Sequence, residues 1–157
     1  MTFDAVDQQI LSILRQDGRA SHALIAKAVG LSAPAVGERV RKLETSGVIR
    51  GYHAIFNPDT LDLPISAFVA IIPQPRNPAA NLVENLMNLA EIEELHAVAG
   101  NYSYFAKVRV SSTQALDSFL DKLTMLNGVE RTQTTMVLKT NLERPMHLPF
   151  ENKDTSA

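Results

Sequence analysis

The residues best suited to chemistry lie in one stretch, between Gly30 and Ile49. The apolar spacing there predicts a helix that Ser32 caps and Gly47 ends. Its outward face carries small, polar and charged side chains, which we predict to face double-stranded DNA: Ser32, Pro34, Ala35, Glu38, Arg41 and Lys42. Lys and Arg neutralise phosphates, so Arg41 and Lys42 should contact the DNA backbone while the first turns approach base edges.

Two more side chains extend this candidate DNA site. Arg39 lies nearer the packed edge of the helix, so an ion pair that braces the helix and a DNA contact are both open for it. Ser21 begins a second predicted helix, where free backbone N–H groups suit a phosphate. The exposed first turns lack the Arg, Asn and Gln side chains whose bidentate contacts discriminate bases by roughly 1–3 kcal/mol. We therefore expect weak direct readout, with specificity drawn from DNA shape and several half-sites.

A second polar set suits a small ligand. The turn from Gly100 to Tyr104 could present backbone N–H groups to a carboxylate, and polar side chains of the last predicted strand could complete the site. The candidate effector-binding residues are Gly100, Asn101, Tyr102, Ser103, Tyr104, Thr132 and Thr134, with Gln133 and Thr135 beside them. From the residues alone, a plain hairpin with solvated threonines is the alternative.

The sequence argues against catalysis. It contains no cysteine, which excludes a disulfide framework, a thiolate zinc site and a cysteine nucleophile. Its four histidines, His22, His53, His96 and His147, follow no metal-ligand spacing, and no phosphate-binding glycine loop occurs. The neighbouring acids Glu93 and Glu94 are expected on opposite faces of a strand. We predict no enzymatic activity, no metal and no cofactor.

Charge and hydropathy narrow the setting. The net charge is −2, yet residues 1–60 carry seven basic and six acidic side chains, with the basic ones clustered near the candidate DNA site. On charge alone, a solvated helix face is the alternative. No apolar run is long enough for a membrane span and no signal-peptide pattern is present, so a cytoplasmic location without a membrane partner is expected.

Three predicted helices position the candidate DNA site. Asp4, Ser21 and Ser32 are their caps, and Gly18 and Gly30 end the first two. The apolar positions expected to be buried are Val6, Ile10, Leu11, Leu14, Leu24, Ile25, Ala28, Val29, Val36, Val40 and Leu43. Two helices joined by a short glycine-containing turn form a helix-turn-helix, whose second helix enters the major groove.

The composition divides the chain into four parts. Residues 1–50 are predicted to be a helix-turn-helix (winged-helix-like) DNA-binding domain, and 51–64 a linker strand and turn, because Val48–Phe56 is β-prone. Residues 65–140 are predicted to be a ferredoxin-like dimerisation and effector-binding domain. The tail, 141–157, is either a packed arm or disordered.

Strands and helices alternate in the second domain. The predicted strands are Ile65–Ile72, Glu93–Ala99, Tyr102–Val110 and Val129–Thr140, and the helices are Ala79–Leu89 and Thr113–Leu126, with a loop at Pro73–Pro78. The helices should bury Leu82, Val83, Leu86, Met87, Leu116, Phe119, Leu120 and Leu123. The βαββαβ order predicts a ferredoxin-like fold and an α+β protein.

The first of these strands, Ile65–Ile72, carries apolar side chains on both of its faces. Helices of a ferredoxin-like domain cover only one sheet face, so the other face needs a cover. We predict that a second copy supplies it, in a two-fold homodimer. An apolar strand that merely lies at the centre of a small sheet is the alternative.

The chain resembles the Lrp/AsnC (feast/famine) family of transcriptional regulators over residues 3–140. The matching stretches are Asp7-x-x-Ile10-Leu11-x-x-Leu14, Asp17-Gly18-Arg19, Leu24-Ile25-Ala26, Val29-Gly30-Leu31-Ser32, Arg39-Val40-x-x-Leu43-Glu44, Gly47-Val48-Ile49-x-Gly51-Tyr52 and Gly128-Val129. The resemblance implies a C-terminal ferredoxin-like module, known as RAM, that dimerises and binds small effectors, commonly amino acids. It also implies dimers that assemble further, often into octamers.

One position departs from the family pattern. The effector loop of the family usually reads Gly-x-x-Asp, and here Ser103 replaces the acid. A hydroxyl group is a weaker partner for an ammonium group than a carboxylate. We expect a DNA-binding transcriptional regulator that senses a small molecule, with an amino acid as the effector that the resemblance implies. The alternative is a metabolite-binding regulatory subunit whose helical domain docks on a protein.

Overall fold

The protein is described by a computed structural model, which covers residues 3–74 and 81–150. The helices are α1 (Ala5–Gln16), α2 (His22–Val29), α3 (Ala33–Thr45), α4 (Leu82–Met87) and α5 (Thr113–Met125), and the strands are β1 (Ile65–Pro73), β2 (Ile92–Ala97), β3 (Tyr104–Val110) and β4 (Val129–Met136). They belong to two compact units. The first takes the chain up to Ile55 together with residues from Leu142 onward, and the second takes Phe56–Asn141.

Side-chain caps begin the three helices of the first unit. Asp4 Oδ1 accepts from the Asp7 amide at 2.8 Å, and the hydroxyl oxygens of Ser21 and Ser32 accept from amides three residues on, at 3.2 and 3.3 Å. Gly30 ends α2 in the left-handed region, at φ 71°. These contacts confirm the three predicted caps, since each satisfies an amide that the first helical turn leaves without a partner.

The core of the first unit lies where the three helices meet. Its buried side chains are Ile10, Leu11, Ile25, Ala26, Val36, Val40 and Leu43. The prediction that Leu24 and Ala28 are buried is wrong, because α2 is only eight residues long and packs through Ile25 and Ala26, which leaves Leu24 54 % exposed. A short helix buries one narrow stripe, and Leu24 falls beside it.

The predicted strand over Val48–Phe56 does not form. After α3, Gly47 turns in the left-handed region at φ 74°, and the amides of Val48 and Ile49 both donate to the Leu43 carbonyl. No residue from 48 to 58 is in a strand, and a 3-10 turn follows at Asp59–Leu61. A β-prone segment needs a neighbouring strand to pair with, and none of the described strands pairs with this one.

The second unit contains one antiparallel sheet in the order β2-β3-β1-β4, with β1 between β3 and β4. Val69 of β1 lies opposite Ala106 of β3 and Thr134 of β4, which fixes the register. Strand-helix-strand occurs twice in the chain order, so the predicted ferredoxin-like fold is confirmed.

Helices α4 and α5 cover one face of this sheet. The buried core comprises Ala67, Val69, Ile71, Leu82, Leu86, Ala106, Val108, Val110, Leu116, Phe119, Leu123 and Val129. The expected burial of Val83 and Met87 is wrong: they are 41 % and 70 % exposed, because α4 has only six residues and contacts the sheet through Leu82 and Leu86. Residues 79 and 80 of the predicted helix, and most of the predicted loop, lie outside the described residues.

A bulge in β2 changes the faces of two acids. The pairing of β2 with β3 shifts register between Ile92 and Glu94. Lys107 Nζ therefore lies 3.5 Å from a carboxylate oxygen of Glu93 and 3.6 Å from one of Glu94. The prediction that Glu93 and Glu94 point to opposite faces is wrong, because the extra residue of a bulge interrupts the alternation of a regular strand.

The sheet face opposite the helices, which we call the open face, is apolar at its centre. The rings of Phe68 and Phe105 stack there, with centroids 5.9 Å apart at 28°. Ser66 is 7 % exposed and its hydroxyl group has no hydrogen-bond partner among the described residues. In the same residues, no helix is long and apolar enough to cross a membrane.

Candidate nucleic-acid interface and effector site

All the predicted DNA-binding residues except Ser21 lie on α3 or at its cap, but they differ in how free they are to contact DNA. Ser32 caps α3, Pro34 lies in its first turn, and both are exposed. Ala35 is half-buried, one position before the buried Val36. The first turn of α3 therefore offers small side chains that allow a close approach of the helix to another surface.

Glu38 and Arg41 bind each other rather than standing free. Arg41 donates through Nε to Glu38 Oε2 at 3.1 Å and through Nη2 to Oε1 at 2.7 Å. This bidentate pair lowers the pKa of the Glu38 carboxyl and raises that of Arg41. Because the two charges cancel, the outward face of α3 draws its net positive charge from Lys42, which is exposed and in no ion pair within the described residues.

Arg39 turns inward and ties α3 to the start of α1. Its Nη1 donates to Asp4 Oδ2 and to Asp7 Oδ1, both at 2.7 Å. The pKa of the Asp4 carboxyl is lowered, first by the hydrogen bond from the Asp7 amide and then by Arg39. Of the two roles open for Arg39, the structure therefore places it in the bracing ion pair.

Ser21 lies where α2 and α3 come close. Its hydroxyl oxygen accepts from the Leu24 amide, so its own O–H is still available to donate to a phosphate. The next residue, His22, packs over Gly37 of α3, where an added Cβ would lie 3.1 Å from His22 Nδ1. Sequence reasoning missed His22 as a neighbour of this surface, although its place directly after the Ser21 cap was a usable signal.

The predicted effector residues divide between the two faces of the sheet. Tyr104 and Thr132 both lie opposite Ile71 and so share the helix-covered face. Thr134, two residues further along β4 and opposite Val69, lies on the same face. Gln133 lies opposite Ala70 on the open face, and Tyr102 donates its hydroxyl hydrogen to Gln133 Oε1 at 2.7 Å. These residues therefore do not converge on one pocket within a single chain.

Some backbone groups of the turn before β3 already make hydrogen bonds to other parts of the sheet unit. The Ser103 amide donates to the Ile71 carbonyl at 3.3 Å, and the Ser103 carbonyl accepts from the Val98 amide at 2.9 Å. The Ser103 amide is thus engaged within the fold, so a carboxylate at this turn would have to bind other amides of the Gly100–Tyr104 segment. At Gly100 an added Cβ would meet nothing within 4 Å, so that part of the turn is open, as is the exposed Asn101.

A cavity of about 600 Å³ lies between α4 and β2. Tyr104 is the one predicted effector residue in its lining, and Val83, Met87 and Leu95 supply an apolar wall. The apolar residues Val83 and Met87 were the signal for this cavity in the sequence, but the helical periodicity assigned them to the core. No group of three His, Cys, Asp or Glu side chains that could hold a metal ion occurs in the described parts of the chain.

Both units match known protein families. Residues 3–44 match the AsnC-type helix-turn-helix domain, and residues 66–146 match the Lrp/AsnC ligand binding domain. The chain belongs to the Lrp/AsnC family. It is a helix-turn-helix transcriptional regulator, a family not known for enzymes.

Relatives agree with this membership over nearly the whole chain. The HTH-type transcriptional regulator FL11 of Pyrococcus abyssi is 38 % identical over 91 % of this chain and 94 % of its own length. The leucine-responsive regulatory protein of Escherichia coli K12 is 39 % identical over 87 % of this chain and 85 % of its own. The feast or famine regulatory protein from M. tuberculosis, solved in complex with L-methionine, superposes with a TM-score of 0.88 at 37 % identity, covering 94 % of this chain and all of its own (100 %).

The Arg39 contacts predict a pH-dependent loss of stability. Replacing Arg39 by Met should lower the melting temperature at neutral pH, because both aspartates lose their cation. The Asp4 carboxyl has a lowered pKa in the folded state, so its contribution is present above its ordinary value of 3.8 and is lost as the pH falls through the lower folded-state value. The difference between wild type and R39M should therefore shrink below about pH 4 in melts followed by circular dichroism.

Arg41→Met is the matched control. The Arg41–Glu38 pair joins two residues on the exposed face of α3 and does not connect α3 to another helix. Its loss should cost less than the loss of Arg39. An R39M melting temperature no lower than that of R41M would contradict the bracing role.

Proposed function

We propose that the chain regulates transcription in the cytoplasm by inserting α3 into the major groove of double-stranded DNA. The observation that carries the proposal is the exposed, small-residue first turn of α3, followed by Lys42, on a helix-turn-helix unit. Ser21 at the start of α2 adds a phosphate contact, and Ser32, Pro34, Ala35 and Glu38 lie nearest the bases. With Arg39 and Arg41 both bound to carboxylates, direct base readout is weak, and DNA shape contributes much of the specificity.

Phosphate contact by Lys42 is tested by the salt dependence of binding. Lys42→Ala should weaken binding by a similar factor on every DNA fragment that the wild-type chain selects from a random pool. It should also make the slope of log affinity against log salt shallower by about 1. Fluorescence anisotropy between low and moderate salt measures both quantities.

Lys122→Ala is the control, because this lysine lies on α5 in the other unit. Its affinity and slope should match those of wild type. Equal slopes for wild type and K42A would remove Lys42 from the interface. Failure of the wild-type chain to bind DNA at any salt would overturn the proposed function and favour a protein-docking role for the helical unit.

We further propose that the open face is a homodimer interface. Phe68 is 38 % exposed beside Phe105, and the buried Ser66 hydroxyl lacks a partner within the described residues. In the linker, Ile55 and Phe56 are 91 % and 69 % exposed, so a second copy could also pair with this β-prone segment. Val83 and Met87, beside the edge strand β2, leave another apolar surface through which dimers would join, up to an octamer.

A charge at the centre of the open face should separate the copies. Phe68→Glu is expected to sediment as a monomer under conditions where wild type is a dimer or larger, because an unpaired carboxylate would be buried. Met125→Glu adds the same charge on α5 at a position that is 84 % exposed, and it should sediment like wild type. A dimer of F68E would contradict the interface.

The effector proposed here is an amino acid. A relative with the same fold binds L-methionine and another is named leucine-responsive. In this chain the candidate residues are Gly100, Asn101, Tyr102, Ser103, Tyr104, Thr132 and Thr134. The last three lie on the helix-covered face, whereas Tyr102 of the turn binds Gln133 on the open face. A site that used both faces would need groups from more than one chain, so effector binding and assembly are expected to be coupled.

Ser103 sets the strength of ammonium recognition in this proposal. Ser103→Asp should tighten the binding of L-methionine by about tenfold, because a charge-assisted hydrogen bond is roughly twice as strong as a neutral one. Isothermal titration calorimetry of the full chain measures the change. Asn127→Asp adds an equal charge in the turn before β4 and should leave the affinity unchanged; equal effects of the two variants would remove Ser103 from the site.

A further inference from the structure

The chain after β4 returns to the helix-turn-helix unit. Residues from Leu142 onward cluster with the first unit, although β4 belongs to the second. We call the described part of this segment, Leu142–Phe150, the C-terminal arm. The sequence left open whether it is packed or disordered, and the structure shows which of its side chains are packed.

Of the arm's large apolar side chains, Leu148 and Phe150 pack against the first unit, and we call these two residues the anchors; Leu142 and Met146 are exposed. Leu148 and Phe150 are half-buried against the core of the first unit. Leu142 and Met146 are 68 % and 79 % exposed. Between the anchors, Pro149 fixes its own φ and restricts Leu148 to extended conformations, so little chain entropy is lost when both anchors dock.

Phe150 docks on the start of α1. Its ring meets Phe3 edge to face, with centroids 6.2 Å apart and planes at 60°. It also lines a cavity of about 500 Å³ together with Ile13 of α1 and Ala28 of α2. The arm thus contacts Phe3 just before α1 and borders a cavity that α1 and α2 both line.

Phe3 connects this contact to the DNA-facing helix. Its carbonyl accepts from Gln8 Nε2 at 3.2 Å, and it directly precedes Asp4, the cap that binds Arg39 of α3. Phe3 also lines a cavity of about 490 Å³ whose other walls include Ala35 and Lys42. A contact that holds Phe3 in place therefore also holds one wall of this cavity, which candidate DNA-contacting residues line as well.

We propose that the C-terminal arm is a clasp of the DNA-binding unit: docking of Leu148 and Phe150 orders the start of α1 and holds α3 in its DNA-binding position. The role assigned to α3 rests on the proposed function, whereas the ordering of α1 does not. Undocking of the arm would loosen the three-helix unit and leave the sheet unit intact, because the anchors pack on the first unit only.

Hydrogen exchange of the full-length protein tests the clasp without DNA or effector. In Phe150→Ala, amides of α1 and α3 should exchange at least about tenfold faster than in wild type, because loss of a packed aromatic ring destabilises the unit that it contacts. Amides of β1, β3 and β4 should be unchanged. Met146→Ala removes an exposed side chain from the same arm and should match wild type throughout.

DNA affinity provides the second readout. On fragments selected by the wild-type chain, F150A should bind at least about fivefold more weakly than M146A, whose affinity should equal that of wild type. Exchange of α1 and α3 in F150A that equals M146A would overturn the clasp. Faster exchange with unchanged DNA affinity would overturn its control of α3. If the wild-type chain bound no DNA, the proposed function would fail, and the exchange data would still decide whether the arm orders α1.

Discussion

Two helices can cover only one face of a four-stranded sheet, and this limit governs the rest of the structure. β1 lies at the centre of the sheet and is apolar on both sides: Val69 and Ile71 face the helices, whereas Phe68 and Ala70 face the opposite way. Burial of the first face builds the core of the unit. The second face is left apolar, which is the feature that the proposed homodimer would cover, and a two-fold dimer would carry two α3 helices.

A second α3 would matter because one α3 has few free charges. Two of its three cations already bind carboxylates, Arg39 across to α1 and Arg41 along the helix. The Arg39 contact holds the helix in place at the expense of a DNA contact, and the Arg41 contact neutralises Glu38. Since phosphate contacts supply much of the affinity for DNA, a helix with this arrangement gains most from a partner that binds the same duplex.

Features that depend on neighbouring residues alone, such as helix caps and the order of helices and strands, are predicted well from the sequence. Caps at Asp4, Ser21 and Ser32 are determined within one helical turn, and the βαββαβ order follows from the hydrophobic periodicity of each segment. Burial failed where helices are short, at Leu24 and Met87, because periodicity does not say how much of a short helix contacts its neighbour. The strand predicted from Val48 failed for a related reason, since strand formation depends on a partner that the segment itself does not encode.

The candidate effector residues show the same limit at longer range. Thr132 and Gln133 are neighbours in one strand, so their side chains alternate between faces. The pairing with β1 decides which of them shares a face with Tyr104. Glu93 and Glu94 were expected to separate, and a bulge brings both to Lys107. Register and bulges arise from the pairing of distant segments, so composition and spacing identify which residues are polar but not which of them meet.

The path of the C-terminal arm also affects the order in which the protein can fold during synthesis. Domains generally fold as units as they emerge, beginning with the N-terminal one. Here the three helices are made first, while Leu148 and Phe150, which pack against the core of the first unit, are made after the whole sheet. The N-terminal unit therefore reaches its final packing last, and a nascent chain that has already formed its sheet still carries an incompletely closed helical unit.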